Sequence, residues 1–178
     1  QDLTMGSPLQ AVESPEEDTS SFVLVEQQDL LSEGLFTISP KGDSSKHLDV
    51  VDASVDDGAN VQIWHDNGLL AQKWYVKRAS GKVNTYTLQA ACSGKQLTAD
   101  SNGNAVQRTA DGSSEQLWRA DFSGGFVVFT NLGTGRVLDL ADGCTDAGTN
   151  VQTYAANGMD AQRFSLRETQ PLPEGLYT

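Results

Sequence analysis

Residues 60–74 read NVQIWHDNGLLAQKW, and residues 150–164 read NVQTYAANGMDAQRF. Both begin Asn-Val-Gln, place an aromatic two residues later, continue to Asn-Gly and close on Ala-Gln-x-aromatic. A shared pattern of that length marks an internal repeat, and a repeat decides the architecture before any single element does. The closing triplets set the period: Gln72-Lys73-Trp74, Gln116-Leu117-Trp118 and Gln162-Arg163-Phe164, spaced 44 and 46 residues apart. Upstream of each triplet stands a leucine-centred run: HLDVVD from His47, QLTADS from Gln96 and VLDLAD from Val137. Between them lie VQIW from Val61, VQRT from Val106 and VQTY from Val151.

Each leucine run is preceded by a turn-like stretch (KGDSSK, CSGK or LGTGR) and, before that, by a short alternating run (LFTIS, YTLQ or VVFT). Each repeat is therefore four short β-prone runs divided by Gly, Asn, Asp and Ser clusters. No stretch sustains a 3.6-residue apolar period. Three copies of a four-strand unit predict an all-β fold of twelve short strands in three pseudo-symmetric repeats, closed so that no sheet edge is left unpaired. A propeller is the competing geometry, but three blades fall short of the usual minimum of about four.

The chain has 178 residues, enough for one ordinary domain with a core. Its formal net charge of −12 argues against nucleic acid or an anionic membrane surface as partner. Residues 1–40 hold eight acids and neither Lys nor Arg, so the charge belongs mainly to the N-terminal segment. No apolar run approaches the ~18 residues needed to span a membrane, so no membrane insertion is expected. Cys92 and Cys144 leave two readings open: one disulfide of a secreted protein, or two unrelated thiols.

The ends carry the period further. Residues 164–178 read FSLRETQPLPEGLYT, and residues 22–37 read FVLVEQQDLLSEGLFT. Residues 174–178 thus read as the first strand of another copy. Residues 1–31 read either as the degenerate end of a preceding repeat or as an acidic linker rich in Ser, Glu and Pro. On either reading the chain is expected to be one piece of a longer protein. The expected division is an N-terminal segment 1–31, a three-repeat domain 32–170, and a linker with the first strand of a following repeat, 171–178.

The residues from 33 to about 168 resemble the ricin B-type lectins, also grouped as family 13 carbohydrate-binding modules. The resemblance rests on three Gln-x-aromatic triplets at regular spacing with their upstream partners. It implies a β-trefoil, in which six strands form a barrel and three hairpins cap it, with up to three shallow sites, one per repeat, for galactose- or xylose-type sugars. In such a site an Asp after the leucine accepts sugar hydroxyls, and an aromatic after Val-Gln-x stacks on the pyranose. An Asn in the next loop donates to a hydroxyl and steadies the Asp. Ionised acceptors make the stronger hydrogen bonds, and a ring with a few polar groups suits an amphipathic ligand.

Asp49, Trp64, Asn67 and Gln72 fill these roles in the first repeat. Asp139, Tyr154, Asn157 and Gln162 fill them at identical spacing in the third. In the second, Thr98 stands for the Asp and Thr109 for the aromatic, and the loop from Leu97 to Val106 is shorter; that site is expected to be inactive. The packing positions persist in all three repeats while the Asp and the outer aromatic do not. The fold therefore does not require them, and their joint loss is the mark of a ligand site. Against this stands a purely structural reading, in which Trp64 and Tyr154 cover loops and the two carboxylates cap turns. Ala71 and Ala161 depart from the family pattern, which often places a second Asn there.

Other features are weaker. VDDGAN, ADGCTDAG and TADGSS lack the alternating ligands and distal Glu of a calcium loop. His47 and His65 have no Cys or His partner at metal-ligand spacing, and no catalytic constellation or cofactor motif is present. The expectation is a carbohydrate-binding module of a secreted protein, not an enzyme, whose partners are galactose- or xylose-containing glycans. The alternative is a β-trefoil spacer or protein-interaction domain without sugar binding.

Overall fold

The computed structural model describes residues 30–170; the readings made for residues 1–29 and for 171–178, the Glu174–Thr178 strand included, lie outside them. Twelve strands follow one another: β1 Gly34–Pro40, β2 Lys46–Val50, β3 Val61–His65, β4 Trp74–Arg78, β5 Thr85–Ala90 and β6 Gln96–Ala99, then β7 Ala105–Arg108, β8 Trp118–Ser123, β9 Phe126–Asn131, β10 Val137–Leu140, β11 Val151–Tyr154 and β12 Phe164–Glu168. The first and fourth strands of each repeat close an antiparallel ring, β1–β4–β5–β8–β9–β12 and back to β1. The second and third strands form the hairpins β2–β3, β6–β7 and β10–β11. This is the closed twelve-strand fold that the repeats predict and the β-trefoil that the family resemblance implies, and ring closure removes the edges that open sheets must otherwise protect.

The core forms where the repeats converge. Trp74, Trp118 and Phe164 are fully buried, as are Leu48, Leu97 and Leu138. A buried indole must place its N–H: Trp74 Nε1 donates to the Leu48 carbonyl at 3.1 Å, and Trp118 Nε1 to that of Leu97 at 2.9 Å. Each such bond ties the start of a repeat's last strand to the start of its hairpin. Phe164 has no side-chain N–H to place, and lies in the same core cluster as Leu138 without that demand.

Two features tie the repeats into a cycle. Each hairpin loop hydrogen-bonds the next repeat's third strand: Gly58 N–H donates to Gln107 O at 2.8 Å, Thr153 N–H to Gly103 O at 2.7 Å, and Gly148 N–H to Ile63 O at 2.8 Å. At the foot of the hairpins Asn60, Asn104 and Asn150 form a closed ring. Asn60 Nδ2 donates to Asn150 Oδ1 (2.9 Å), Asn150 Nδ2 to Asn104 Oδ1 (2.8 Å) and Asn104 Nδ2 to Asn60 Oδ1 (2.7 Å). The three asparagines therefore lie about the pseudo-threefold axis.

This ring corrects the register of the second repeat. Asn60 and Asn150 directly precede Val61 and Val151, but Asn104 precedes Ala105. Cross-strand pairing agrees: Asp49 faces Gln62, Asp139 faces Gln152, and Thr98 faces Val106. Val106-Gln107 is thus one residue out of step with Val61-Gln62, and Ala105 is the true counterpart of Val61. The hairpin loop is shorter than the letters suggest, eight positions from Leu97 to Ala105 against thirteen from Leu48 to Val61. Arg108, not Thr109, occupies the position of Trp64 and Tyr154.

Cys92 and Cys144 are both free. Cys92 lies against the Ser54 carbonyl and Cys144 against Asp146, so the two thiols sit on different loops.

Candidate functional site

Asp49 lies on β2 and Asp139 on β10, each opposite a glutamine of the partner strand. Gln62 Nε2 donates to Asp49 Oδ1 at 3.1 Å, and Gln152 Nε2 to Asp139 Oδ1 at 2.9 Å. Both carboxylates are buried. Burial pushes the Asp49 carboxyl above the ordinary carboxylate range; hydrogen bonds from Gln62 and Gln72 oppose that shift, and Asp52 adds to it.

Gln72 and Gln162 are only 1% exposed, so both work from below the surface. Each latches the loop that follows the hairpin. Gln72 Oε1 accepts from Asn67 N–H at 3.1 Å and its Nε2 donates to His65 O at 2.8 Å. Gln162 accepts from Asn157 N–H at 2.8 Å and donates to Ala155 O at 2.9 Å and to Asp139 Oδ2 at 3.0 Å. Gln116 repeats the latch with Asp111 N–H and Thr109 O. The same side chain thus closes the loop in every repeat, and in the first and third it also bonds the carboxylate.

Trp64 and Tyr154 stand at the outer ends of β3 and β11, 41% and 52% exposed, next to fully buried residues of the same strands. Asn67 and Asn157 follow in the loop. Their Oδ1 atoms accept the N–H groups of Leu69 and Met159, both at 2.9 Å, and so fix the turn. Gln62 and Gln152, together with the latch glutamines, steady the carboxylates.

These side chains gather in two hollows. In the first repeat Asp49, Asp52, Gln62, Trp64, Asn67 and Leu69 line a volume of about 500 Å³. In the third, Asp139, Asp142, Gln152, Tyr154, Asn157 and Met159 line about 320 Å³. Both lie in the size range of small-molecule sites, roughly 300–1000 Å³. Neither lining includes Lys or Arg.

Four polar lining residues escaped the sequence reading. Gln62 and Gln152 were visible in the shared Asn-Val-Gln but had no role assigned to them. Asp52 and Asp142 follow three residues after the first acid, in short 3-10 turns at Val51–Ala53 and Ala141–Gly143. Both adopt left-handed backbone, φ 55° and 56°. Such conformations are uncommon outside glycine and concentrate at functional positions. The shorter loop of the second repeat has no such turn.

The second repeat builds a different surface. Thr98, Asp100, Arg108, Asp111 and Glu115 are among the residues lining a hollow of about 400 Å³. Thr98 keeps the latch by accepting from Gln116 Nε2 at 3.4 Å. Val106 replaces the steadying glutamine, and Arg108 replaces the ring. Thr109 binds Asp57 of the first repeat instead, its N–H donating to Oδ1 at 2.6 Å. Lys95 also donates to Asp57 and, with Thr109, holds that carboxyl below the ordinary range.

Among the described residues no group of three or more His, Cys, Asp or Glu is placed to hold a metal ion, and no helix is long and apolar enough to cross a membrane.

Several known folds resemble this one. A designed threefold-symmetric protein, ThreeFoil, is 29% identical with a TM-score of 0.71, over 76% of this chain and 99% of that one. A mosquitocidal holotoxin is 26% identical (TM-score 0.74) over 79% of this chain, which spans only 18% of the toxin's length. An exo-β-1,3-galactanase from Clostridium thermocellum is 25% identical (TM-score 0.70) over 79% of this chain and 31% of its own. No curated protein matches significantly. The family model described as ricin-type beta-trefoil lectin domain-like matches residues 21–110, 70–154 and 114–177, three overlapping stretches that each span more than one repeat. By that match, and by its closed ring of three repeats, the chain belongs to the ricin-type β-trefoil lectin domain-like family.

Proposed function

We propose that this domain is a carbohydrate-binding module with two shallow sugar sites, in the first and third repeats, for galactose- or xylose-type sugars. One observation carries the reading. Asp, Asp, Gln, aromatic and Asn recur at identical spacing in two hollows, whereas the second repeat keeps the buried leucine, the latching glutamine and the buried tryptophan and loses this set. The carboxylate accepts a pair of sugar hydroxyls, the glutamine holds it in register, and the exposed ring stacks on the apolar face of the pyranose. Gln72 and Gln162 act one layer below, through the loop.

One stacked ring and a few net hydrogen bonds on an open shelf are worth roughly −4 to −5 kcal/mol, a dissociation constant of about 0.1–1 mM. Two sites on one rigid domain convert such weak contacts into avidity, by a factor of ~10²–10⁴ on a dense glycan. The module performs no catalysis itself, and acts by holding a larger secreted protein on glycans. The holotoxin and the galactanase, both far longer than this chain, support that arrangement.

Titration with galactose, lactose and xylose, followed by tryptophan fluorescence, tests the reading. Trp64 lies in the first hollow, so a saturable change lost in Trp64→Ala is expected. No response to these sugars or to a glycan array would overturn it in favour of a spacer or protein-interaction domain.

A further inference from the structure

Three asparagines stand directly before glycine: Asn67-Gly68, Asn102-Gly103 and Asn157-Gly158. All three asparagines are exposed. An asparagine in that setting can react with its own main chain. The nitrogen of the next residue attacks Cγ, and a glycine, lacking a Cβ, leaves the approach open. The nitrogen must give up its proton and turn towards Cγ. A glycine N–H already held in a hydrogen bond is therefore the poorer nucleophile.

The three glycines differ in that respect. Gly68 N–H donates to Asp66 Oδ1 at 3.1 Å. Gly103 N–H donates to Asp100 O at 3.1 Å. Gly158 N–H has no hydrogen-bond partner among the described residues, and Ala156 stands where the first repeat has Asp66. A Cβ on Gly158 would meet nothing within 4 Å, so a ring has room to close there. The two corresponding turns are otherwise alike. Asn67 and Asn157 each accept the N–H two residues on at 2.9 Å, and each gives its own N–H to the latch glutamine. The difference in reactivity thus lies with the glycine nitrogen and Asp66.

We infer that Asn157, in the lining of the third repeat's hollow, is a site of spontaneous deamidation, while Asn67 and Asn102 are shielded from it. The Gly158 nitrogen passes its proton to hydroxide and bonds to Asn157 Cγ. The Cγ–Nδ2 bond breaks, and the leaving nitrogen takes a proton from water and departs as ammonia. A second water then opens the cyclic imide. Attack at Cγ gives aspartate; attack at the Asn157 main-chain carbonyl gives isoaspartate, with the chain running through Cγ.

The two products differ in effect. Asp111 already occupies this place in the second repeat, with the same turn and latch bonds at 2.8 and 3.0 Å. Aspartate at 157 therefore leaves the loop intact and adds one negative charge to the hollow. Isoaspartate lengthens the main chain by one atom and displaces the turn's acceptor. It loosens the loop that Gln162 ties to Asp139. The inference does not depend on what the hollow binds.

Incubation of the intact chain at mildly alkaline pH, followed by peptide mapping with mass spectrometry and isoaspartyl methylation, tests it. Asn157 is expected to convert at least about fivefold faster than Asn67 or Asn102, the factor that one hydrogen bond on the attacking nitrogen supplies. Asp66→Ala, which copies Ala156, is expected to raise the Asn67 rate by about the same factor. Ala156→Asp, which adds the bond and removes nothing, is expected to slow Asn157 correspondingly. Conversion of Asn67 or Asn102 as fast as Asn157 would overturn the inference. An unchanged Asn157 rate in Ala156→Asp, or an unchanged Asn67 rate in a folded Asp66→Ala chain, would overturn it too, because the glycine N–H bond then does not govern the reaction.

Discussion

The carboxylates of Asp49 and Asp139 are buried, and each is held by neighbouring amide groups. That combination gives the first site a pH dependence with a definite sign. Burial raises the Asp49 carboxyl, so the folded chain binds its proton more tightly than the unfolded chain does. Between the ordinary aspartate value, about 3.9, and the raised value, stability falls as pH rises, then levels off above it. On the proposed reading sugar acceptance runs the other way, because it uses the ionised form. In an Asp139→Thr chain, where the first site alone reports, affinity is expected to drop on acidification with a midpoint above pH ~3.9. Affinity unchanged well below that pH, in a chain still folded by circular dichroism, would contradict the assignment. Thr98 shows what the fold accepts at this position. Asp139→Thr is accordingly expected to cost no more than about 1 kcal/mol, the scale of one exchanged hydrogen bond, in thermal unfolding.

At the scale of the element, the glutamine latch is expected to separate stability from binding. Truncating any of the three leaves a loop N–H and a loop carbonyl without their partner, which costs about 1–3 kcal/mol. Gln116→Ala is expected to lower the melting temperature and leave sugar affinity intact. Gln162→Ala is expected to lower both, since Gln162 also holds Asp139. Equal loss of binding in the two variants would show that the latch acts globally. The hairpins also mark how far the letters can be read. The leucine runs, the triplets and the turn clusters each align by identity, so twelve strands and their order were legible. The Val-Gln of residues 106–107 was misleading: a five-residue shorter loop moved it one step, and a strand shifted by one residue turns every side chain to the other face. Only the partner across the hairpin, Thr98 opposite Val106, reveals that step. Asp52 and Asp142 were legible as letters but not as lining residues, because a left-handed backbone at a non-glycine residue leaves no pattern in composition or period.

At the scale of the whole molecule, closure is cyclic. Each hairpin loop reaches the next repeat, and the asparagine ring joins all three. None of these asparagines is adjacent to another in sequence, so the ring could be seen only once the fold had assembled them. Its members are coupled: removing one leaves donor and acceptor unmet on the other two. Asn60→Ala and Asn104→Ala are each expected to cost about 1–3 kcal/mol, and the double variant less than their sum, by chemical denaturation in a double-mutant cycle. Strict additivity would mean that the ring does not act as a unit.

The cycle also fixes where the sites lie. Gly148 of the third repeat comes close beneath Trp64 of the first; a Cβ there would lie 3.5 Å from the indole Cζ3. The hollow of one repeat is therefore supported by the loop of another, and a pseudo-symmetric scaffold can keep two such hollows while the third diverges.

The stoichiometry of sugar binding tests this account most directly. Calorimetric titration of the intact chain with the tightest-binding sugar is expected to give two sites. Asp49→Thr and Asp139→Thr are each expected to leave one, and the double variant, still folded, none. Three sites in the wild-type chain, or binding undiminished in the double variant, would contradict it.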